Sequence, residues 1–224
     1  MSTHNKQGIY QVSRLIEPIP INADWDKAPW QTVEPLLISH YMGDEPDHKP
    51  VTQAKIAYDT DNLYCIFRVQ DNFIRAVTST SGGPVWEDSC VEFFFRPNTT
   101  GYFNLETNCI GTPLLRYQVA PNREITPLPT QHYNRIQIAH SLPAKLINPE
   151  ISTPLVWTLE YCLPIDLLNH YLPVSVLSSG TQWSANFYKC GDKTSHPHWL
   201  TWSPINNPTP DFHRPDYFGI LEFE

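Results

Sequence analysis

The sequence predicts an all-β protein: an antiparallel, jelly-roll-like β-sandwich with long proline-rich loops and at most short helices. Three observations predict it. Short runs rich in β-branched and aromatic residues recur along the chain, parted by clusters of Asp, Asn, Ser, Gly and Pro. Prolines number 22 against 9 glycines, and proline is kept out of helix interiors and central strands, so it marks loops, strand starts and edges. Almost nothing reads as a long helix. At 224 residues the chain can fill a two-layer core, and with no repeat or linker it is taken as a single domain over 1–224, with 1–15 as a lead-in segment.

Each element follows in order. After the lead-in, Asp24-Trp25-Asp26-Lys27-Ala28-Pro29-Trp30 gives a turn and an aromatic plug, in which Trp25 and Trp30 are expected to pack at the end of the core. Val51 to Tyr58 alternates like a strand, Asp59-Thr60-Asp61-Asn62 turns, and Leu63 to Val69 returns, which makes a hairpin. Ser79 to Pro84 is a loop that leads to Trp86. Cys90 to Arg96 and Tyr102 to Ile110 form a second hairpin, closed by Pro97-Asn98-Thr99-Thr100-Gly101. Residues 111–155 are proline-rich, with weak strands near Leu114–Val119 and Asn134–His140. Trp157 to Leu163 reads as a core strand, Pro164 to Leu168 as one helical turn with proline at its start, and Trp183 to Tyr188 and Gly219 to Phe223 as later strands.

Charge narrows the function. The formal net charge of −8 argues against a nucleic-acid backbone, which calls for a basic face, and gives no support for an anionic membrane surface. No apolar run approaches the ~20 residues of a membrane span. Met1 to Gln7 lacks the apolar core of a secretory signal, so a cytoplasmic setting is expected by default, or an extracytoplasmic one if a leader has been removed. The five cysteines form no CxxC pair, and four of them sit in apolar strand-like runs, as free buried thiols do.

The second hairpin carries the candidate site. Side chains alternate faces along a strand, so Val91, Phe93 and Phe95 point one way and Glu92 and Phe94 the other. A symmetric register about the loop sets Glu92 opposite Glu106 and Phe94 opposite Asn104. The apolar set then enters the core, and Glu92, Asn104, Glu106 and Asn108 form a polar patch on the outer face. Carboxylates and carboxamides accept from and donate to the vicinal hydroxyls of a sugar. Two facing glutamates repel unless an arginine, a cation or a polarised hydroxyl compensates. Trp86 precedes this strand and could wall the patch. Indole is apolar on its faces with one donor at its edge, which suits stacking on a flat, hydroxyl-rimmed ligand. Trp199 and Trp202, three apart, face opposite sides of a strand, and spacing leaves open which of them partners Trp86.

These residues resemble a known family. The Asp24–Trp30 opening, the Tyr58-Asp59 to Arg68-Val69 hairpin, Val85-Trp86-Glu87-Asp88 through Phe94, Tyr102-Phe103-Asn104 to Gly111 and the ending Asp211 to Phe223 look like family 9 carbohydrate-binding modules, in a family-9-like bacterial branch, from about residue 16 to 224. The resemblance implies a β-sandwich related to DOMON domains. It also implies non-catalytic binding of glucan or xylan ends between two tryptophans, often beside a xylanase and with bound calcium, in support of polysaccharide breakdown. Trp86 matches the first sandwiching indole, Glu92 a hydroxyl-binding carboxylate and Asn108 a polar ligand-binding position. At Glu106 the chain departs, because xylanase-linked modules carry a basic residue there.

Other chemistries stay open on the residues alone. Glu92 with Glu106, or Glu87 with Asp88, could be the carboxyl pair of a glycoside hydrolase. Cys190, His196, His198 and His213 are of zinc-binding type. Asp59, Asp61 and Asp71 lie in turns where loop oxygens could take calcium, although no cofactor is required. A sandwich that binds a protein partner, its sugar site decayed, is a third class, and an unexposed Trp86 would favour it.

Overall fold

The computed structural model describes residues 7–119 and 124–224. The expectation drawn from the first six residues lies outside them, as do 120–123 within the proline-rich stretch. Sixteen strands run through the described residues. The first eight are β1 (Ile9–Arg14), β2 (Leu36–Ile38), β3 (His40–Tyr41), β4 (Val51–Tyr58), β5 (Asn62–Asp71), β6 (Ile74–Ala76), β7 (Cys90–Arg96) and β8 (Gly101–Asn108). There follow β9 (Pro113–Val119), β10 (Glu124–Pro127), β11 (Gln137–His140), β12 (Ile147–Ile151), β13 (Leu155–Pro164), β14 (Gln182–Cys190), β15 (Trp199–Thr201) and β16 (Gly219–Phe223). An α-helical turn, α1 (Ile165–Leu168), starts after Pro164 as the sequence predicts. Among the described residues no helix is long and apolar enough to cross a membrane.

The strands make two layers. One follows the order β10-β9-β8-β7-β14-β16, the other β4-β5-β13-β11 with β2 on the free side of β4. Strand β1 joins them, running parallel to β16 through Ile9–Val12 and then parallel to β4 through Ser13 and Arg14. The lead-in expected over 1–15 is therefore a strand from Ile9 onward, and the otherwise antiparallel sandwich is parallel at this seam. Tyr10 and Val12 are buried while Ile9 and Gln11 are exposed. This period of two is too short to stand out, and the partner that rewards it lies at the far end of the chain.

Between the layers lies an aromatic core. Phe93 stacks on Phe95 and Phe187 with centroids 4.6 and 4.7 Å apart, and Phe187 meets Phe67 of the other layer at 6.2 Å. Trp30 and Trp157 are fully buried in it, the former as the expected plug. Buried Glu160 on β13 accepts from the Trp30 indole N–H and the Ala23 amide, both at 2.8 Å, and so ties the 22–30 loop to the sheet. The outer face of the first layer is covered too. Phe94, Tyr102, Leu114 and Tyr188 pack there against Ile205, Phe212 and Phe218 from the segment before β16. Both faces of β7 and β8 are thus buried, and the outer one holds the site.

Candidate functional site

The register of the second hairpin is the expected one: Glu92 pairs with Glu106 and Phe94 with Asn104. On the outer face Glu92, Phe94 and Glu106 reach a cavity of about 240 Å3. Its walls add Trp86, Arg116, Cys190, Asp192, Trp199 and the Pro210–His213 segment. Trp86 stands on a single 3-10 turn, Val85–Glu87. Buried Asp88 fixes that turn by accepting from the amides of Val77 and Thr78 at 3.0 and 2.9 Å and from the Arg75 guanidinium at 2.7 Å. Trp199 opens β15 opposite Cys190 of β14, and its indole N–H donates to Asp192 at 2.8 Å. Both indoles are half-buried. The Arg116 guanidinium lies 5.3 Å from the Trp86 ring centroid, a cation–π contact that orients both.

The electrostatics are unusual for a strand face. Glu92 is 2% exposed and Glu106 4%, so neither relaxes into water as on an ordinary solvated sheet. Burial pushes Glu106 up to about 7, against the pull of the hydrogen bond from Asn104 and the charge of Arg116. Glu92 is raised well above the usual carboxylate range by burial, by Cys190 and by Glu106. Asp192 is raised by burial to about 6, with the Trp199 N–H opposing. Glu106 Oε1 accepts from Asn104 Nδ2 at 2.7 Å, but its Oε2 is buried and has no hydrogen-bond partner among the described residues. The Cys190 thiol donates to Glu92 Oε1 at 3.1 Å.

Of the residues singled out from sequence, Trp86, Glu92, Glu106 and Trp199 meet at the cavity. Asn104, Asn108 and Trp202 do not line it. Asn104 is fully buried one layer behind, bridging Glu106 Oε1 and the Gln118 amide. Asn108 donates to Thr78 O and Asp88 and accepts from the Thr112 amide, so it braces the Trp86 loop from within. Trp202 lies on the opposite face, edge-on to Tyr10 and Phe187. A Cβ on Gly8 or Gly219 would sit 2.7 and 2.6 Å from its ring, so the indole rests on bare backbone and serves packing. Of Trp199 and Trp202, it is Trp199 that shares the cavity with Trp86.

The weak metal candidates separate. Asp59 accepts from the Asp61 and Asn62 amides at 2.8 and 2.7 Å and from the Tyr64 hydroxyl at 2.6 Å, and so closes the hairpin turn with both oxygens engaged. Asp61 is beside it and exposed, whereas Asp71 lies at the other end of β5. Asp71 accepts from His48 at 2.7 Å and faces Lys189 Nζ at 3.5 Å. These three do not fit a calcium ion. Of the histidines, His196 stacks on Phe73 and His198 is buried against Lys189, both in edge-on ring contact with His48, while His213 lies apart at the cavity.

Sequence reasoning missed Arg116 and Asp192. The first was within reach, because β9 pairs Arg116 with Asn104 and so sets it on the face of Glu106. Asp192 and the Pro210–His213 segment belong to loops with no periodic signal.

Comparison with known proteins agrees with this architecture. A family model described as Carbohydrate-binding family 9 matches residues 17–223. A solved structure of a Bacteroides uniformis protein assigned to carbohydrate binding is 30% identical, with a TM-score of 0.88 over 98% of this chain and 100% of that one. A family 9 module from Caldicellulosiruptor kristjanssonii in complex with glucose is 14% identical, with a TM-score of 0.64 over 97% of this chain and 96% of that one. Its complex with cellotriose gives 13%, a TM-score of 0.63 and coverage of 97% and 94%. No curated protein matches the chain.

Proposed function

The chain belongs to carbohydrate-binding family 9, and we propose that it holds a sugar ring in the cavity between Trp86 and Trp199 without cleaving it. The observation that carries this reading is the buried Glu106 Oε2, without a partner among the described residues, in a cavity walled by two half-exposed indoles. A buried acceptor left unmade costs about 1–3 kcal/mol, and a sugar hydroxyl supplies the missing donor. The indole faces take the apolar C–H faces of the ring. Arg116 donates to ring and hydroxyl oxygens, and Glu92 and Asp192 serve as further hydrogen-bonding partners. The relatives in complex with glucose and cellotriose favour a glucan-type ligand, and a pocket of this size admits a chain end rather than a long run. Such a module supports polysaccharide breakdown by holding an associated activity at its substrate.

Two features speak against the competing readings. A glycosidase drives its two carboxyl groups apart, one held protonated and one ionised. Here burial raises both Glu92 and Glu106. A protein-binding sandwich would be favoured by an unexposed Trp86, and Trp86 is half-exposed in a recessed cavity. Tryptophan fluorescence should be titrated with glucose, cellotriose and xylotriose in the parent, Trp86→Ala and Trp199→Ala. Saturable binding that both variants lose is expected. No saturable response to any of the sugars sinks the reading and directs attention to a protein partner.

A further inference from the structure

We infer that Cys90, Glu92 and Cys190 form a binding site for a thiophilic divalent cation of the zinc class at the floor of the cavity. The strand register builds it. Cys90 and Glu92 are two apart on β7 and so share a face, and Cys190 of β14 pairs directly with Cys90. All three are buried, and their ligand atoms lie within 4.8 Å of one another. Among the described residues no other group of three such side chains meets that condition. The remaining thiols lie apart: Cys109 reaches the Arg75 carbonyl, while Cys65 and Cys162 are in the other layer.

Ligand chemistry sets the class of ion. Two sulfurs and one carboxylate oxygen suit zinc or cadmium, whereas calcium and magnesium take oxygen alone. At Zn–S of ~2.3 Å and Zn–O of ~2.1 Å, tetrahedral ligands stand roughly 3.4–3.8 Å apart. The Cys190–Glu92 pair is already closer, at 3.1 Å. Small side-chain rotations would bring the three ligand atoms, now within 4.8 Å of one another, to these separations. Three protein ligands leave a fourth position, and since Glu92 and Cys190 both line the cavity, that position and the entry path open there. A second observation points the same way. Glu92 is buried beside Glu106 with no cation among its hydrogen-bond partners in the described residues, while Arg116 faces Glu106 and Asp71 has Lys189. A bound cation would give Glu92 the counter-charge the fold withholds. The site rests on this geometry alone and stands whether or not a sugar binds above it.

The test is a titration of the fully reduced protein with cadmium, read by thiolate-to-cadmium charge-transfer absorption in the ultraviolet. One ion per chain is expected in the parent and in Cys162→Ser. Cys90→Ser and Cys190→Ser should lose at least tenfold in affinity and most of the absorption while keeping the parent's circular dichroism. Glu92→Gln keeps both thiols and covers the event that a serine variant fails to fold. It should saturate with the same absorption at tenfold or more higher cadmium. No charge-transfer band in the parent, or a band that survives both serine substitutions, overturns the site. The sugar titration is run on the same protein. Sugar binding without cadmium binding removes this site only, and cadmium binding without sugar binding removes the sugar reading only.

Discussion

Lys189 and Cys190 are neighbours in β14, yet their side chains end in two buried polar regions that balance charge in opposite ways. Lys189 points into the core side. Its ammonium donates to His198 Nε2 at 2.8 Å and faces Asp71 at 3.5 Å, and Asp71 also accepts from His48. Burial alone would raise the Asp71 carboxyl, but the Lys189 charge and the His48 hydrogen bond hold it well below the usual range. Burial, helped by the Lys189 charge, pushes His198 down to about 3, so it stays neutral and accepts from the lysine. On the other face of the same sheet, Glu92 of β7 and Glu106 of β8 are equally buried, both are raised, and Glu106 Oε2 lacks a donor among the described residues. The contrast teaches how to separate scaffold from site. A buried charge whose counter-charge is internal holds the fold together, and a buried carboxyl whose partner must come from outside marks where a ligand is bound.

The largest effect that would break this comparison is on the core side. Lys189→Met leaves Asp71 buried and uncompensated, and should cost about 3–5 kcal/mol in denaturant unfolding. Adding Asp71→Asn should restore more than half of that loss. A Lys189→Met protein as stable as its parent would show that the core cluster is not balanced by the lysine.

Next comes the pair of tryptophans. Trp202→Ala opens a void over Gly8 and Gly219 and should cost about 3 kcal/mol, with glucose affinity unchanged. Trp86→Ala should leave unfolding within about 1 kcal/mol while weakening sugar binding by about 30-fold, the scale of a hot-spot aromatic near 2 kcal/mol. An affinity loss in Trp202→Ala equal to that in Trp86→Ala would erase the distinction between the faces.

Acid should act on the core side with a definite sign. His198 is depressed in the folded state, so between its unfolded value near 6.5 and about 3 the unfolded chain binds a proton that the folded one refuses. Its contribution is complete above about 6.5 and falls as the pH drops, by at most ~1.4 kcal/mol per unit. Asp71, also depressed, adds a loss below about 3.8. The raised carboxyls of Glu92, Glu106 and Asp192 act in the opposite sense over the same range in both proteins. The test is therefore the difference: between pH 7 and 5 the denaturant midpoint of the parent should fall relative to that of His198→Asn. The smallest stability effect is expected on the cavity side. Glu92→Gln, nearly isosteric with a protonated carboxyl, should change unfolding by no more than about 1 kcal/mol while lowering sugar affinity. A loss as large as that of Lys189→Met would mean that Glu92 is scaffold after all.

Much of the site was legible because a hairpin carries its own ruler. Once Pro97–Gly101 is read as the turn, alternation alone sets Glu92 against Glu106 and sends Phe93 and Phe95 inward. The same count carried one strand further would have found Arg116. It misjudged Asn104 and Asn108, because alternation gives the face of a side chain and not what covers that face. The segment before β16 roofs the sheet over Asn104, and the Trp86 loop roofs it over Asn108.

By itself the sequence determined the class of fold, the strands of both hairpins and the polar outer face of β7 and β8, since all of these depend on local periodicity and turn chemistry. Only the tertiary structure decided that Ile9 pairs beside Ile220, that Trp199 rather than Trp202 shares the cavity with Trp86, and that Cys190 lies across from Cys90. Those outcomes depend on contacts between residues far apart in the chain. No local pattern encodes such contacts, because their free energy is gained only when the whole sandwich closes and expels water from both faces of its sheet.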